Sequence, residues 1–113
     1  MNILKDKVCI ITGGAGSIGL ATARLFLAEG AKVMLTDLHR NSLDAAAKAL
    51  DAGGNLETCA ADVSNAASVR GMVGTTVRCW GEIDVVFSNA GIFGVVAPIS
   101  EYPEETFDAV YAV

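Results

Sequence analysis

Thr12-Gly13-Gly14-Ala15-Gly16-Ser17-Ile18-Gly19 is the stretch from which the rest of the chain is read. The run before it, Val8-Cys9-Ile10-Ile11, is uncharged and rich in β-branched side chains, as suits a strand buried on both faces. After it, Ile18, Ala21, Thr22, Leu25 and Phe26 recur at helical spacing, which predicts an apolar stripe on a helix from Ser17 to Glu29. Strand, glycine-rich turn and helix N-terminus are the parts of a phosphate cradle. Without side chains, Gly13, Gly14 and Gly16 let the backbone turn tightly and approach a ligand closely. The first helical N–H groups and the positive end of the helix dipole then face a diphosphate, worth up to about 2 kcal/mol in a sheltered site.

Gly14-x-Gly16-x-x-Gly19 gains weight from its place in the chain. A second apolar run, Lys32-Val33-Met34-Leu35-Thr36, ends in Asp37, 21 residues after Gly16. A dinucleotide-binding unit places its acidic ribose ligand at about that distance.

The chain has 113 residues, the size of one domain, 1–113, or of a piece of one. Its 52% apolar and 19% charged content suits a parallel sheet covered on both faces. A formal charge of −5 argues against nucleic acid or an anionic membrane as partner, so an anionic cofactor must be held by local backbone donors. Cys9, Cys59 and Cys79 have no metal-ligand spacing and are expected to be buried, reduced thiols. Residues 1–7 lack the apolar segment of a signal peptide, and the longest uncharged stretches are shorter than a membrane span. A cytoplasmic location is the expectation.

The pattern alternates strand and helix to the end. Gly30 stops the first helix, and Lys32–Asp37 is the second strand. Leu43, Ala46, Ala47 and Leu50 mark a helix ending at Gly53-Gly54, with a third strand, Leu56–Ala61, after it. Ser64 is the expected N-cap of a third helix with the stripe Val69, Met72, Val73, Thr76, Val77 and Trp80, stopped by Gly81. Gly71 and Gly74 inside it read as points of close packing. A fourth strand, Val85–Ser88, leads to Asn89-Ala90-Gly91, and Pro103 opens a fourth helix whose stripe begins with Phe107, Val110 and Tyr111. Four such pairs predict an α/β, doubly wound parallel sheet of Rossmann type, order 3-2-1-4, in three αβα layers. Its ligand crevice falls where the order reverses.

Taken together and in order, residues 12–19, Asp37, Asp62-Val63 and Asn89-Ala90-Gly91 resemble the short-chain dehydrogenase/reductases over the whole chain. The resemblance implies an NAD(P)-dependent oxidoreductase acting on a small alcohol or carbonyl compound. Two departures stand out. Ser17 occupies the place of the short form's second glycine, and the spacing Thr-Gly-x-x-Gly-x-x-Gly is that of the extended branch, which includes sugar-nucleotide epimerases. Ser88 replaces the first Asn of Asn-Asn-Ala-Gly, yet the rest of that motif favours the short form.

The resemblance assigns the diphosphate and its flanks to Gly13, Gly16, Ser17, Ile18 and Gly19, with Leu38 beside the ribose ligand Asp37. Asp62 would accept from the adenine amino group, backbone at Val63 would complete the base contact, and Asn89, Ala90 and Gly91 would line the riboses. Asp62 also has an alternative reading as a turn acid before the Ser64 cap. Asp37 selects NAD over NADP, because a 2′-phosphate about 4 Å away would cost roughly 4 kcal/mol per unit charge pair at an effective dielectric near 20. Arg40 could soften this only by folding back toward the ribose. His39 reads as a solvated loop residue.

The family's catalytic serine and Tyr-x-x-x-Lys have no counterpart here. Tyr102 is followed four residues on by Thr106, and Tyr111 stands too near the end. The segment Phe107–Val113 resembles the sequence leading into the family's catalytic asparagine, so the chain is expected to be the cofactor-binding front of a longer enzyme that forms homodimers or homotetramers. The competing functions are a non-catalytic NAD-binding module and an extended-branch epimerase or dehydratase.

Overall fold

The computed structural model describes residues 3–91 and 104–113. Pro103, expected to open the last helix, and the side chains of Phe107, Val110 and Tyr111 lie outside the described residues. Strands β1 (Val8–Thr12), β2 (Lys32–Asp37), β3 (Leu56–Ala60) and β4 (Val85–Phe87) alternate with helices α1 (Ser17–Ala28), α2 (Arg40–Leu50), α3 (Ala66–Trp80) and α4 (Glu104–Ala112). The strands form one parallel sheet in the order β3-β2-β1-β4, the expected Rossmann topology.

All of β1 is buried, since it lies inside the sheet with a partner on each side, in register Cys9 with Val33, Ile10 with Met34 and Ile11 with Leu35. Strand alternation then sorts the core into two clusters. Cys9, Ile11, Val33 and Leu35 meet Ala23 of α1 and Leu43 and Ala46 of α2. Ile10 and Met34 point the other way, toward Met72 of α3 and Ala61. Helices therefore cover both faces, and each large aliphatic side chain so buried stabilises the fold by roughly 1.5–3 kcal/mol. Burial, and to a lesser degree the Asp84 carboxylate, pushes the Cys9 thiol above its usual range. Asp84 also accepts from the Val8 N–H at 2.9 Å while its own N–H donates to the Val8 carbonyl at 2.8 Å. These bonds tie the starts of β1 and β4 together, at the end of the sheet away from the glycine turn.

Several expectations need correction. The buried face of α1 is Gly19 and Ala23, flanked by Leu20, Phe26 and Leu27, whereas Ile18 and Leu25 are 63% and 60% exposed. The small residues let the helix lie close to the sheet, and the larger apolar ones are turned outward. The N-cap of α3 is Asn65, whose side-chain oxygen accepts from the Ser68 N–H at 3.0 Å, because the Ser64 hydroxyl is engaged by Asp62. Helix α2 stops at Leu50, with Asp51 in the left-handed region at φ 46°, and Gly53–Asn55 form a separate 3-10 turn. Gly71 and Gly74 are not tight contacts: a Cβ at Gly71 would meet nothing within 4 Å, and one at Gly74 only the Arg78 guanidinium at 3.6 Å. Of the cysteines only Cys9 is buried; Cys79 is exposed.

Candidate functional site

A cleft of about 290 Å³ opens at the carboxyl ends of the strands, where the topology reverses between β1 and β4. It is lined by Gly13 after β1, by Thr36 to His39 at the end of β2, by Ala61 to Val63 after β3, and by Asn89 to Gly91 after β4. Among the residues singled out in the sequence, Gly13, Asp37, Leu38, Asp62, Val63, Asn89, Ala90 and Gly91 thus share one cavity. Gly16, Ser17, Ile18 and Gly19 do not line it. They form the neighbouring entry to α1, with Gly19 buried and the other three exposed. Thr36, His39, Ala61 and Val113 line the cleft without having been marked in the sequence, and His39 does so while remaining exposed.

The glycine turn owes its shape to tight contacts with its neighbours. Gly13 has φ +65°, and a Cβ there would stand 3.0 Å from the Ala90 Cα. A Cβ on Gly14 would collide with the Leu35 side chain at 2.5 Å, and one on Gly19 would run into the Gly13 carbonyl and the Gly14 Cα. Gly16 differs. Its backbone, at φ −79° and ψ 171°, is open to any residue, and a Cβ there would meet only the Gly13 oxygen at 3.4 Å. Neither its backbone angles nor any neighbouring atom requires a glycine at this exposed position, where it stands as the N-cap of α1, a place glycine suits better than alanine, and the absent Cβ leaves open space in front of the helix.

Hydrogen bonds stitch this turn to β2. The Gly14 N–H donates to the Thr36 carbonyl at 2.9 Å. The Ala15 N–H donates to Asp37 Oδ2 at 2.9 Å, and the Leu38 N–H to Oδ1 at 2.7 Å. Each carboxylate oxygen keeps a second lone pair for another donor. Thr12 does the same on the side of β4: its Oγ1 accepts from the Asn89 and Ala90 N–H groups at 3.0 and 3.1 Å and donates to the Phe87 carbonyl at 3.4 Å. At the mouth of α1 no side chain among the described residues caps the helix, and its first turn holds no acidic residue. The N–H groups of Ser17, Ile18 and Gly19 have no carbonyl of their own helix to meet, so the dipole's positive end is left uncompensated.

Asp62 is a turn residue and a cleft residue at once. Its Oδ1 accepts from the Ser64 hydroxyl at 2.5 Å and the Ser64 N–H at 2.9 Å, an Asx turn that holds the carboxyl below the usual carboxylate range, the hydroxyl contributing most. The Asp62 N–H donates to Ser68 Oγ at 2.8 Å. Arg40 is directed to other partners. Its Nε donates to Asp44 Oδ1 at 3.1 Å and its Nη2 to the Thr58 hydroxyl, and Arg40 is not among the residues that line the cleft.

A sequence profile described as short chain dehydrogenase matches residues 7–113, and the chain belongs to that family. It is 40% identical over 111 residues to levodione reductase of Leifsonia aquatica, covering 96% of this chain and 42% of that protein. It is 34% identical over 112 residues to 3beta-hydroxysteroid dehydrogenase 2 of Eggerthella lenta, covering 98% and 43%. Among solved structures, NAD+-bound xylitol dehydrogenase matches with a TM-score of 0.92 at 37% identity, over 98% of this chain and 43% of that one. The chain thus spans less than half the length of these relatives. No helix among the described residues is long and apolar enough to cross a membrane.

Proposed function

We propose that this chain is the NAD-binding portion of an oxidoreductase that moves a hydride between the nicotinamide and a small alcohol or carbonyl substrate. The observation that carries the reading is the glycine at position 16, which the fold does not require, set before a helix mouth that no described side chain caps. In this reading the backbone at Gly13, Gly16, Ser17, Ile18 and Gly19 holds the diphosphate, and Asp37, with Leu38 beside it, holds the adenosine ribose. Asp62 and Val63 meet the adenine, and Asn89, Ala90 and Gly91 face the riboses. The bound nicotinamide supplies the hydride chemistry; the residues of this chain orient it. The relatives support the class of reaction: they include a levodione reductase and a hydroxysteroid dehydrogenase, and one solved neighbour is an NAD+-bound xylitol dehydrogenase.

NAD is preferred because Asp37 lines the cleft and no lysine or arginine among the lining residues offsets it, the Arg40 guanidinium being shared between Asp44 and Thr58. A 2′-phosphate at that point would face like charge at roughly 4 kcal/mol per pair. Free thiols at Cys9, Cys59 and Cys79 fit a cytoplasmic enzyme, and a homodimer or homotetramer is the proposed assembly. Calorimetric titration of the protein with NAD and with NADP tests the reading. NAD binds at least tenfold more tightly if it holds; tighter binding of NADP, or of neither, overturns it.

A further inference from the structure

Thr36 is the last residue but one of β2, between Thr12 of β1 and Cys59 of β3 in register. Alternation places it on the Met34 side of the sheet, facing the α3 layer. Three polar residues of the described chain are buried: Thr12, Thr36 and Thr76. Thr12 is hydrogen-bonded three times over, and Thr76 donates to the Met72 carbonyl at 2.9 Å. Thr36, at 0% exposure, has a hydroxyl with no partner among the described residues. Stability alone would replace it. Valine has the same shape, suits a buried strand better and carries no polar group to leave unsatisfied. A locally unfavourable choice of this kind marks a position kept for another purpose. Thr36 is also among the residues that line the cleft, with Asp37, Ala61 and Asp62.

Resting on the NAD reading above, we propose that the Thr36 hydroxyl is a binding group for the adenosine half of the dinucleotide. It is sealed from bulk water in the free protein and gains its hydrogen-bond partner, a ligand atom or one water carried with it, when the cleft fills and its wall adjusts. The residue thereby trades stability of the free protein for affinity.

Thr36→Val and Thr36→Ser in the intact natural protein test this, with thermal unfolding of the free protein and calorimetric binding of NAD and of ADP-ribose. Thr36→Val is expected to raise the unfolding temperature and to weaken NAD and ADP-ribose by the same factor, about five- to tenfold. Thr36→Ser, which keeps the hydroxyl, stays within about twofold of the parent in affinity. Unchanged affinity in Thr36→Val overturns the proposal, as does a lower unfolding temperature, which would show that the hydroxyl already has a partner. If the parent protein binds neither ligand, the NAD reading fails first; if it binds both and Thr36→Val binds them equally, only the role of Thr36 fails.

Discussion

Gly16 separates two demands that usually coincide in a glycine-rich turn. Gly13, Gly14 and Gly19 are required by φ or by contact with Ala90, Leu35 and the Gly13 carbonyl, so their substitution would disturb fold and binding together. Gly16→Ala instead adds a methyl group where the fold has room. Its unfolding free energy is expected to fall by no more than about 1 kcal/mol, the cost of alanine in place of glycine at a helix N-cap, while NAD affinity falls at least tenfold. Unfolding by denaturant and calorimetry on the same sample check both halves. Asp62 offers a second test. Its carboxyl lies below the usual range in the folded state, so its stabilising contribution is present above the ordinary carboxylate pKa and is lost as pH falls through the lowered value. Carbon-detected NMR titration should find Asp62 below an ordinary aspartate, and Ser64→Ala should return it part of the way, the N–H bond being retained. An unmoved midpoint would contradict the role given to the Ser64 hydroxyl. The place of Asp37 at the cleft was legible from spacing because glycine turn, helix and second strand form one contiguous unit. Thr36 was not, since in sequence it is one more β-branched residue in an apolar run and its orphaned hydroxyl emerges only from the packing of three strands.

The elements themselves arise from local chemistry, and the errors in reading them have local causes. Helix α1, Ser17-Ile18-Gly19-Leu20-Ala21-Thr22-Ala23-Arg24-Leu25-Phe26-Leu27-Ala28, is apolar on most of its circumference. Periodicity therefore allowed more than one face, and the larger side chains drew the reading to Ile18 and Leu25. The face that packs is the one whose small Gly19 and Ala23 permit close approach. At the start of α3, two good caps stand side by side, and Asp62 had already engaged Ser64, leaving Asn65 for the helix. The end of α2 carries a correctable strain. Asp51 adopts φ 46°, a conformation that disfavours a Cβ. Asp51→Gly is expected to stabilise the protein by about 0.5–1 kcal/mol, read as a shift of the denaturant midpoint at constant slope. A destabilised variant would show that the aspartate side chain contributes more than the backbone strain removes.

Among the described residues, the sheet is well covered over β1 and β2, and β4 is an edge strand with a neighbour on one side only. Val86 is 58% exposed on that edge strand, and Ile18 and Leu25 add apolar surface on α1. An unpaired edge of this kind is a template for association. Residues 1–113 expressed alone are therefore expected to self-associate in sedimentation velocity, and Val86→Lys to shift the distribution toward monomer. A single monomeric species at all concentrations would contradict this view of the β4 edge. The parallel order and the crevice at its reversal could be read in the sequence because four strand–helix pairs admit few right-handed arrangements. What the sequence could not convey is that Asn89 and Ala90 are fastened to Thr12 across the crevice, since those bonds join residues 77 and 78 positions apart.

A crystal structure of the protein with NAD would probe the role of the glycine turn without intermediaries. The diphosphate is expected beside Gly16 against the amides of Ser17, Ile18 and Gly19, with both ribose hydroxyls of the adenosine on the Asp37 carboxylate. A dinucleotide seated elsewhere, or Asp37 turned away from it, would rule out the cradle formed by this turn and the end of β2.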